Sequence, residues 1–323
     1  MPRPTFPTNI LDFQQRFSTE EGCHDFVLNS RWPDGFKCPK CGHPKAYKRS
    51  DRKAMECAQC GHIASLTAGT VMHNSKLDLR RWLWASWLMV SSKGGVSASE
   101  LARQIGVSYP SAFVLLHKLR HAMVAPERTK LSGRVEVDET LVGGPVHGKG
   151  SGRHHGAQDI VVGAVEVRNE YPTRIRLRMV PYANSVNLHK FIRENVGEGS
   201  TVVTDGNPAY GGLGGYKHVE QVVGRGGLTH LDVLRFFHTM VSNLKAWLDG
   251  THHGAVTTEH LQAYLNEFAF RYNRRGNLGA AFARLLELAP TVGTLSRDEI
   301  YGEHPPHRNP MRRKQLEGRL NRW

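Results

Sequence analysis

The spacing of apolar residues changes along the chain, and each change predicts an element. Residues 1–35 open with a polar lead-in and an amphipathic piece, whose Phe13, Phe17, Cys23 and Phe26 are expected to pack on the domain that follows. From Lys76 to about Arg128, Leu79, Trp82, Leu83, Trp87 and Leu88 recur at mostly three- and four-residue spacing, which predicts helix. Gly94-Gly95 breaks it. Ser97 to Ser108 then runs into Tyr109 to Arg120: a helix, a glycine-containing turn and a second helix, with Leu101, Ile105, Val107, Leu115 and Leu116 as its expected core. This is helix-turn-helix layout. It offers the second helix to a major groove, with Ser108, Tyr109, Ser111 and Lys118 as candidate contacts.

Past residue 131 the pattern is mixed α/β. Arg134–Thr140 reads as a first strand, with Val135 and Val137 on one face and Glu136 and Asp138 on the other. Asp138 thus sits near the end of a strand, just before Gly143-Gly144, where a carboxylate can hold a divalent metal. The Gly- and His-containing stretch from Gly143 to Ala157 is expected to be a mobile loop. Strands are expected over Asp159–Arg168 and Arg174–Val180, then a helix over Ser185–Asn195 with Ser185 as N-cap. A fourth strand over Thr201–Thr204 ends on Asp205-Gly206, and about Leu231–Leu248 is helical. Three strands, a helix, a parallel strand and a helix is the order of an RNase H-like domain. In that fold the first and fourth strands are neighbours, so Asp138 and Asp205 would meet. One more apolar helix, Leu278–Leu288, precedes a Pro- and Arg-containing tail, expected to be disordered alone and to order on DNA. The resulting expectation is an α/β chain of four parts: residues 1–68, 69–130, 131–276 and 277–323.

Charge narrows the partner. Lys plus Arg is 43 and Asp plus Glu is 29 in 323 residues, a formal net charge of +14, with a pI near 9.8. That excess points to a polyanion. No amphipathic basic helix stands out, which favours nucleic acid over a membrane surface. No apolar run reaches the ~18 residues of a membrane span. The N-terminus lacks the apolar core of a signal peptide, so the expected compartment is the reducing cytoplasm.

Five cysteines are arranged as two C-x-x-C pairs plus one. Cys38, Cys41, Cys57 and Cys60 match a four-thiolate zinc pattern, each pair in a tight turn followed by Gly42 or Gly61. Such a closed site is structural. Cys23 is expected as a small buried hydrophobe. His43 and His62 stand beside the ligands. The insert between the pairs carries Lys45, Lys48, Arg49, Arg52 and Lys53, of which Arg52 and Lys53 are candidate DNA contacts.

Several motifs together resemble a known family. They are Arg31-Trp32-Pro33-Asp34-Gly35-Phe36 leading into Cys38-Pro39-Lys40-Cys41-Gly42, Val135-Glu136-Val137-Asp138-Glu139-Thr140, and Thr204-Asp205-Gly206. Ser242-Asn243-Leu244-Lys245 and Gly250-Thr251-His252-His253-Gly254 follow, then Tyr264 to Arg275. Over roughly residues 10–290 the chain is similar to the DDE-type insertion-sequence transposases of prokaryotes, in the ISXO-like group with an N-terminal zinc ribbon. The resemblance implies that Asp138, Asp205 and a third residue bind two Mg2+ or Mn2+ ions. It also implies that a lysine seven residues after the third residue contacts DNA. Counting back seven from Lys245 reaches His238. The expected set is therefore Asp-Asp-His where many relatives carry Asp-Asp-Glu. Asp232, Glu220 and Asn243 are the fallbacks for the third position, Asp232 first because the expected helix begins there. Glu136 and Glu139 are further metal neighbours to consider. The implied activity is metal-dependent cleavage at transposon ends and strand transfer into target double-stranded DNA. It would be carried out by a homodimer or larger assembly on the nucleoid. A DNA-binding regulator with an inactive domain, and a purely hydrolytic nuclease, are the alternatives.

Overall fold

A computed structural model describes residues 6–49, 54–124, 128–143, 158–229, 232–253 and 256–301. The tail after residue 301, the stretch from 144 to 157, and Arg52 and Lys53 lie outside the described residues. In chain order the elements begin with helices α1 (Ile10–Arg16) and α2 (Glu20–Arg31), then strands β1 (Ala46–Arg49), β2 (Ala54–Cys57) and β3 (Ile63–Ser65). Helices α3 (Leu79–Ser91), α4 (Ala98–Ile105) and α5 (Tyr109–Ala122) follow. Next come β4 (Arg134–Val142), β5 (Asp159–Arg168), β6 (Tyr171–Val180), α6 (Ser185–Asn195), β7 (Thr201–Thr204) and β8 (Lys217–Glu220). The chain finishes with α7 (Arg235–His252), α8 (Thr258–Tyr272), α9 (Leu278–Leu288) and α10 (Arg297–Tyr301). Two compact units emerge: the residues before 125 together with 274–301, and residues 128–273.

The first unit is built around rings. Phe13 packs on Phe17, Trp84, Trp87 and Phe282 with centroids 4.7–5.7 Å apart, and Phe17 meets Phe26 at 5.0 Å. The expected cluster of Phe13, Phe17, Cys23 and Phe26 is buried. The ring contributed by α9 comes from some 200 residues downstream. Helix ends follow local chemistry. Ser97 caps α4, left-handed Gly106 ends it, and Ser108 caps α5. Asp78 caps α3, and Glu20 of α2 also accepts from Leu79 N and Arg80 N at 3.0 and 3.2 Å. Leu101, Leu115 and Leu116 are buried, as expected. Ile105 and Val107 are only half-buried, because they flank the turn.

The second unit is a five-stranded sheet in the order β6-β5-β4-β7-β8. β4 runs antiparallel to β5 and parallel to β7, β5 is antiparallel to β6, and β7 is parallel to β8. Alternation sorts the two faces. Val135, Val137 and Val202 face a core with Leu188, Phe191 and Ile192 of α6. Val203, Val161 and Val165 face a second core with Phe237, Met240, Leu244 and Trp247 of α7 and Leu261, Leu265 and Phe268 of α8. The β6 edge is covered by α8. Gln262 Oε1 accepts from Met179 N at 2.9 Å, and Asn273 accepts from Ile175 N at 2.7 Å and donates to Ile175 O at 3.2 Å. Those side-chain amides occupy backbone groups that a further strand would otherwise take.

Several details differ from the sequence-based expectation. The first strand runs past Thr140 to Val142, so Asp138 lies in its middle and not near its end. The third strand begins at Tyr171 rather than Arg174. Asn184, not Ser185, caps α6, accepting from Asn187 N at 3.0 Å. β8, a short and mostly exposed edge strand without apolar alternation, lies where only an irregular stretch was expected. The helix expected from Leu231 starts at Arg235, because Leu234 is left-handed at φ 45° and Asp232 is tied to Thr229. Among the described residues no helix is long and apolar enough to cross a membrane.

Candidate active site

The cysteines form the more complete site. Two turns, closed by Gly42 N donating to Cys38 O and Gly61 N donating to Cys57 O, aim the thiols at one point. Gly42 and Gly61 take φ of 76° and 63°, which side-chain-bearing residues rarely adopt. All four sulfurs lie within 4.8 Å of one another. Cys38 to Cys60 is 3.7 Å and Cys41 to Cys57 is 3.6 Å. A tetrahedron with zinc–sulfur bonds of 2.3 Å has edges of about 3.8 Å, whereas a disulfide needs about 2.05 Å. The donor set and its spacing therefore fit Zn2+. Cys23 stands apart, buried in the ring cluster, with its thiol 3.9 Å from Phe17 O.

The carboxylate site forms at the sheet. In the β4–β7 pairing Glu136 is opposite Val203, so two residues further on each chain Asp138 comes level with Asp205. Alternation puts Asp138 on the face of Glu136, the side on which α7 begins, and the Asp205 charge is near enough to act on it. Asp138 is buried, and its carboxylate accepts from Glu139 N at 2.8 Å. Burial pushes its pKa up to about 7, and the negative charges of Glu139 and Asp205 push the same way. Asp205 is half-buried and accepts from Asn207 N at 3.0 Å. Two hard oxygen donors side by side, one of them reluctant to ionise without a cation, suit Mg2+ or Mn2+.

His238 and Lys245 lie exposed on α7, seven residues apart. His238 is near enough to act electrostatically on Glu136. Among the described residues, the cysteine quartet alone brings three or more His, Cys, Asp or Glu within reach of one ion. Asp138, Asp205 and His238 are thus not drawn to common ligand spacing. The fallback residues lie elsewhere. Asp232 precedes α7 and accepts from Thr229 N and Oγ1 at 2.9 and 2.6 Å, which lowers its pKa. Glu220 is an exposed partner of Arg225, and Asn243 is exposed.

The neighbours of Asp138 have their own partners. Glu136 is 1% exposed and accepts from Phe236 N and Phe237 N at 2.9 Å each, with Arg134 3.4 Å away. Burial raises its pKa, and those partners oppose the rise. Glu139 accepts from Asn207 Nδ2 at 2.8 Å and from Tyr210 Oη at 2.5 Å. Tyr210 is fully buried, and burial beside that carboxylate raises its pKa. Opposite Asp138 on β5 is Gly163, on which Phe237 and Met240 of α7 rest. Asn207, Tyr210, Gly163 and Gln221, which accepts from Leu234 N at 3.0 Å, were not singled out by sequence. Only the Asx-turn residue Asn207, directly after Asp205-Gly206, carries a local signal.

The α5 candidates divide. Ser108 caps the helix and shares a 3.0 Å hydrogen bond with Ser111, and exposed Tyr109 stacks on Phe113 at 6.1 Å. Lys118 is buried, donates to His73 O at 2.8 Å, and has its pKa lowered by burial. It braces the unit and does not face solvent.

A zinc ribbon in one unit and paired carboxylates at the joint of two parallel strands in the other define a zinc-ribbon protein with a carboxylate-bearing α/β domain. Residues 18–63 match the transposase zinc-ribbon domain, and residues 130–273 match the ISXO2-like transposase domain. Over these two stretches the chain is similar to ISXO2-like transposases that carry a zinc ribbon. It is also 25% identical over 276 residues to a protein in the transposable element ISH50 of Halobacterium salinarum, covering 79% of this chain and 91% of that protein.

Proposed function

We propose that this chain is a DNA transposase that cuts transposon ends and joins them to target DNA at Asp138 and Asp205. One observation carries the reading. Asp138, in the middle of β4, comes level with Asp205, just past the end of the parallel neighbour β7, in a sheet whose strand order is the one expected of an RNase H-like domain. Asp138, Asp205 and His238 would hold two Mg2+ or Mn2+ ions, with the imidazole as a neutral nitrogen donor that leaves the site one negative charge short of a three-carboxylate set. Divalent ions there supply an acidified water or 3′-hydroxyl and neutralise charge on the leaving oxygen. Asp138 would hold such an ion as the carboxylate, the form that burial alone disfavours. Lys245, about 10 Å along α7 from His238, holds a phosphate of the cut strand.

The zinc ribbon and the α4–α5 helix-turn-helix would read terminal repeats, through Ser108, Tyr109 and Ser111 at the exposed start of α5. Arg52 and Lys53 would add phosphate contacts. Joining two ends requires at least a dimer. The cytoplasm, on the nucleoid, is the compartment that this work requires. A second reading, a DNA-binding regulator, draws on His238 standing exposed and not gathered with the two aspartates at the spacing of one ion.

Cleavage of end-containing DNA with Mg2+ or Mn2+ tests the proposal. The wild type is expected to nick and then join to target DNA, and Asp138→Ala and Asp205→Ala to abolish both. Binding without nicking favours the regulator, and nicking without joining favours a nuclease. Unchanged cleavage in the alanine variants refutes the site. His238→Ala and His238→Glu test the third position.

A further inference from the structure

We propose that Glu136 and Glu139 are positioning residues, each setting the place of one other candidate ligand relative to Asp138. The inference rests on the metal-site reading above but gives these two carboxylates a different task from metal binding.

Helix α7 begins without a side-chain cap of its own, on left-handed Leu234. Two N–H groups of its first turn, Phe236 and Phe237, are taken by Glu136 from the strand 100 residues earlier, both at 2.9 Å. A buried carboxylate at the positive end of a helix dipole suits that place. The next residue along is His238. Glu136 also lies two residues from Asp138 on the same face of β4. One rigid strand thus carries Asp138 and holds the turn of α7 that carries His238.

Glu139 does the same for Asp205, from the other face of the strand. Its two oxygens accept from Asn207 Nδ2 and Tyr210 Oη. Asn207 in turn donates its backbone N–H to Asp205 at 3.0 Å and accepts from Ala209 N at 3.0 Å. The path from Glu139 through Asn207 to Asp205 fixes the loop after β7. Both glutamates are therefore occupied by donors from the protein, and Asp138 lies between them as the reference point.

The decisive contrast is between reach and charge at Glu136. Glu136→Gln keeps the oxygen that accepts from Phe236 and Phe237 but loses the charge. Glu136→Asp keeps the charge but withdraws the oxygen by one methylene. A positioning role predicts that the aspartate variant needs about tenfold or more Mn2+ for half-maximal cleavage, while the glutamine variant stays within about threefold of wild type. Hydrogen exchange at the Phe236 and Phe237 amides, measured without metal or DNA, should be fast in Glu136→Asp and protected in Glu136→Gln. The reverse order, with aspartate near wild type and glutamine impaired, would make Glu136 a ligand or an electrostatic element and overturn the proposal, as would equal protection in both variants. If the wild type does not cleave, the function proposed above fails, while the exchange experiment still decides the role of Glu136. For Glu139, Tyr210→Phe should raise the Mn2+ requirement in the same assay, and an unchanged requirement counts against its half of the proposal.

Discussion

Replacing Gly163 with alanine would put a methyl group where α7 rests on the sheet. An ideal Cβ at this position lies 2.9 Å from Phe237 Cε2, 3.0 Å from Leu177 Cδ2 and 3.3 Å from Met240 Cε. Carbon atoms prefer about 3.5–4.0 Å, so three neighbours must retreat at once. Phe237 and Met240 are at most 1% exposed and have nowhere to go without moving α7. Overpacking of this kind costs about 1–3 kcal/mol. The backbone opposes little, since Gly163 is not among the glycines at positive φ, and the entropic gain of alanine over glycine is about 0.4–1 kcal/mol. The balance is a loss of about 1–2 kcal/mol, or a Tm lowered by about 2–8 °C for a unit of this size. Urea or thermal denaturation measures it. Coupling to Met240→Ala is a second check, because a shared cause makes the double variant less damaged than the sum of the singles. A Gly163→Ala protein as stable as wild type, or a strictly additive double variant, would refute the packing argument.

Three further outcomes are expected. Glu166 is fully buried and accepts from Arg174 at 2.6 and 2.9 Å, Thr173 at 2.7 Å, Ser132 N at 2.9 Å and Arg168 at 3.0 Å. These partners outweigh burial and hold its pKa at about 2. A folded pKa below the unfolded one stabilises above the ordinary carboxylate range and is lost as pH falls toward 2. The contribution is about 3 kcal/mol at full value and nearer 2 once water reaching half-exposed Arg168 is allowed for. Urea midpoints should therefore fall between pH 6 and pH 3 more steeply in wild type than in Glu166→Gln. Purified protein should carry one zinc by elemental analysis, and chelation should unfold the ribbon while residues 128–273 keep their strand signal. A protein that folds its ribbon with no zinc contradicts the cysteine assignment. Asn273→Ala leaves the Ile175 N–H of the β6 edge without its acceptor and should cost about 1–3 kcal/mol, read as a lowered urea midpoint.

Local signals carried much of this structure. The C-x-x-C pairs, the serines at 97 and 108, and the alternation of Val135 and Val137 against Glu136 and Asp138 are each written within a few residues. So is the parallel neighbour strand ending at Asp205. What could not be read is what distant residues do to one another. Glu136 looks like one more acid until α7 returns 100 residues later to use it as a cap. Lys118 looks like a solvent-facing base until His73 O and the surrounding helices enclose it. Leu234 bends the start of α7 against its own preference because Gln221 and the sheet hold it there. The third candidate ligand, His238, is marked in the sequence only by its seven-residue spacing from Lys245, and the packing that orients its helix leaves no mark nearby.

The ring cluster of the first unit has a consequence for synthesis. Phe282 packs on Phe13, Phe17 and Trp87, and Val71 N donates to Ala289 O at 3.4 Å. The proposed DNA-reading unit therefore cannot close its core until the ribosome has passed residue 289, after all of residues 128–273 have been made. At about 5–20 residues per second, the roughly 150 intervening residues leave Phe13 and Trp87 uncovered for on the order of 10–30 seconds. A chain terminated between residue 273 and α9 would leave the ribosome with residues 128–273 complete and the core of the first unit open, a target for proteases.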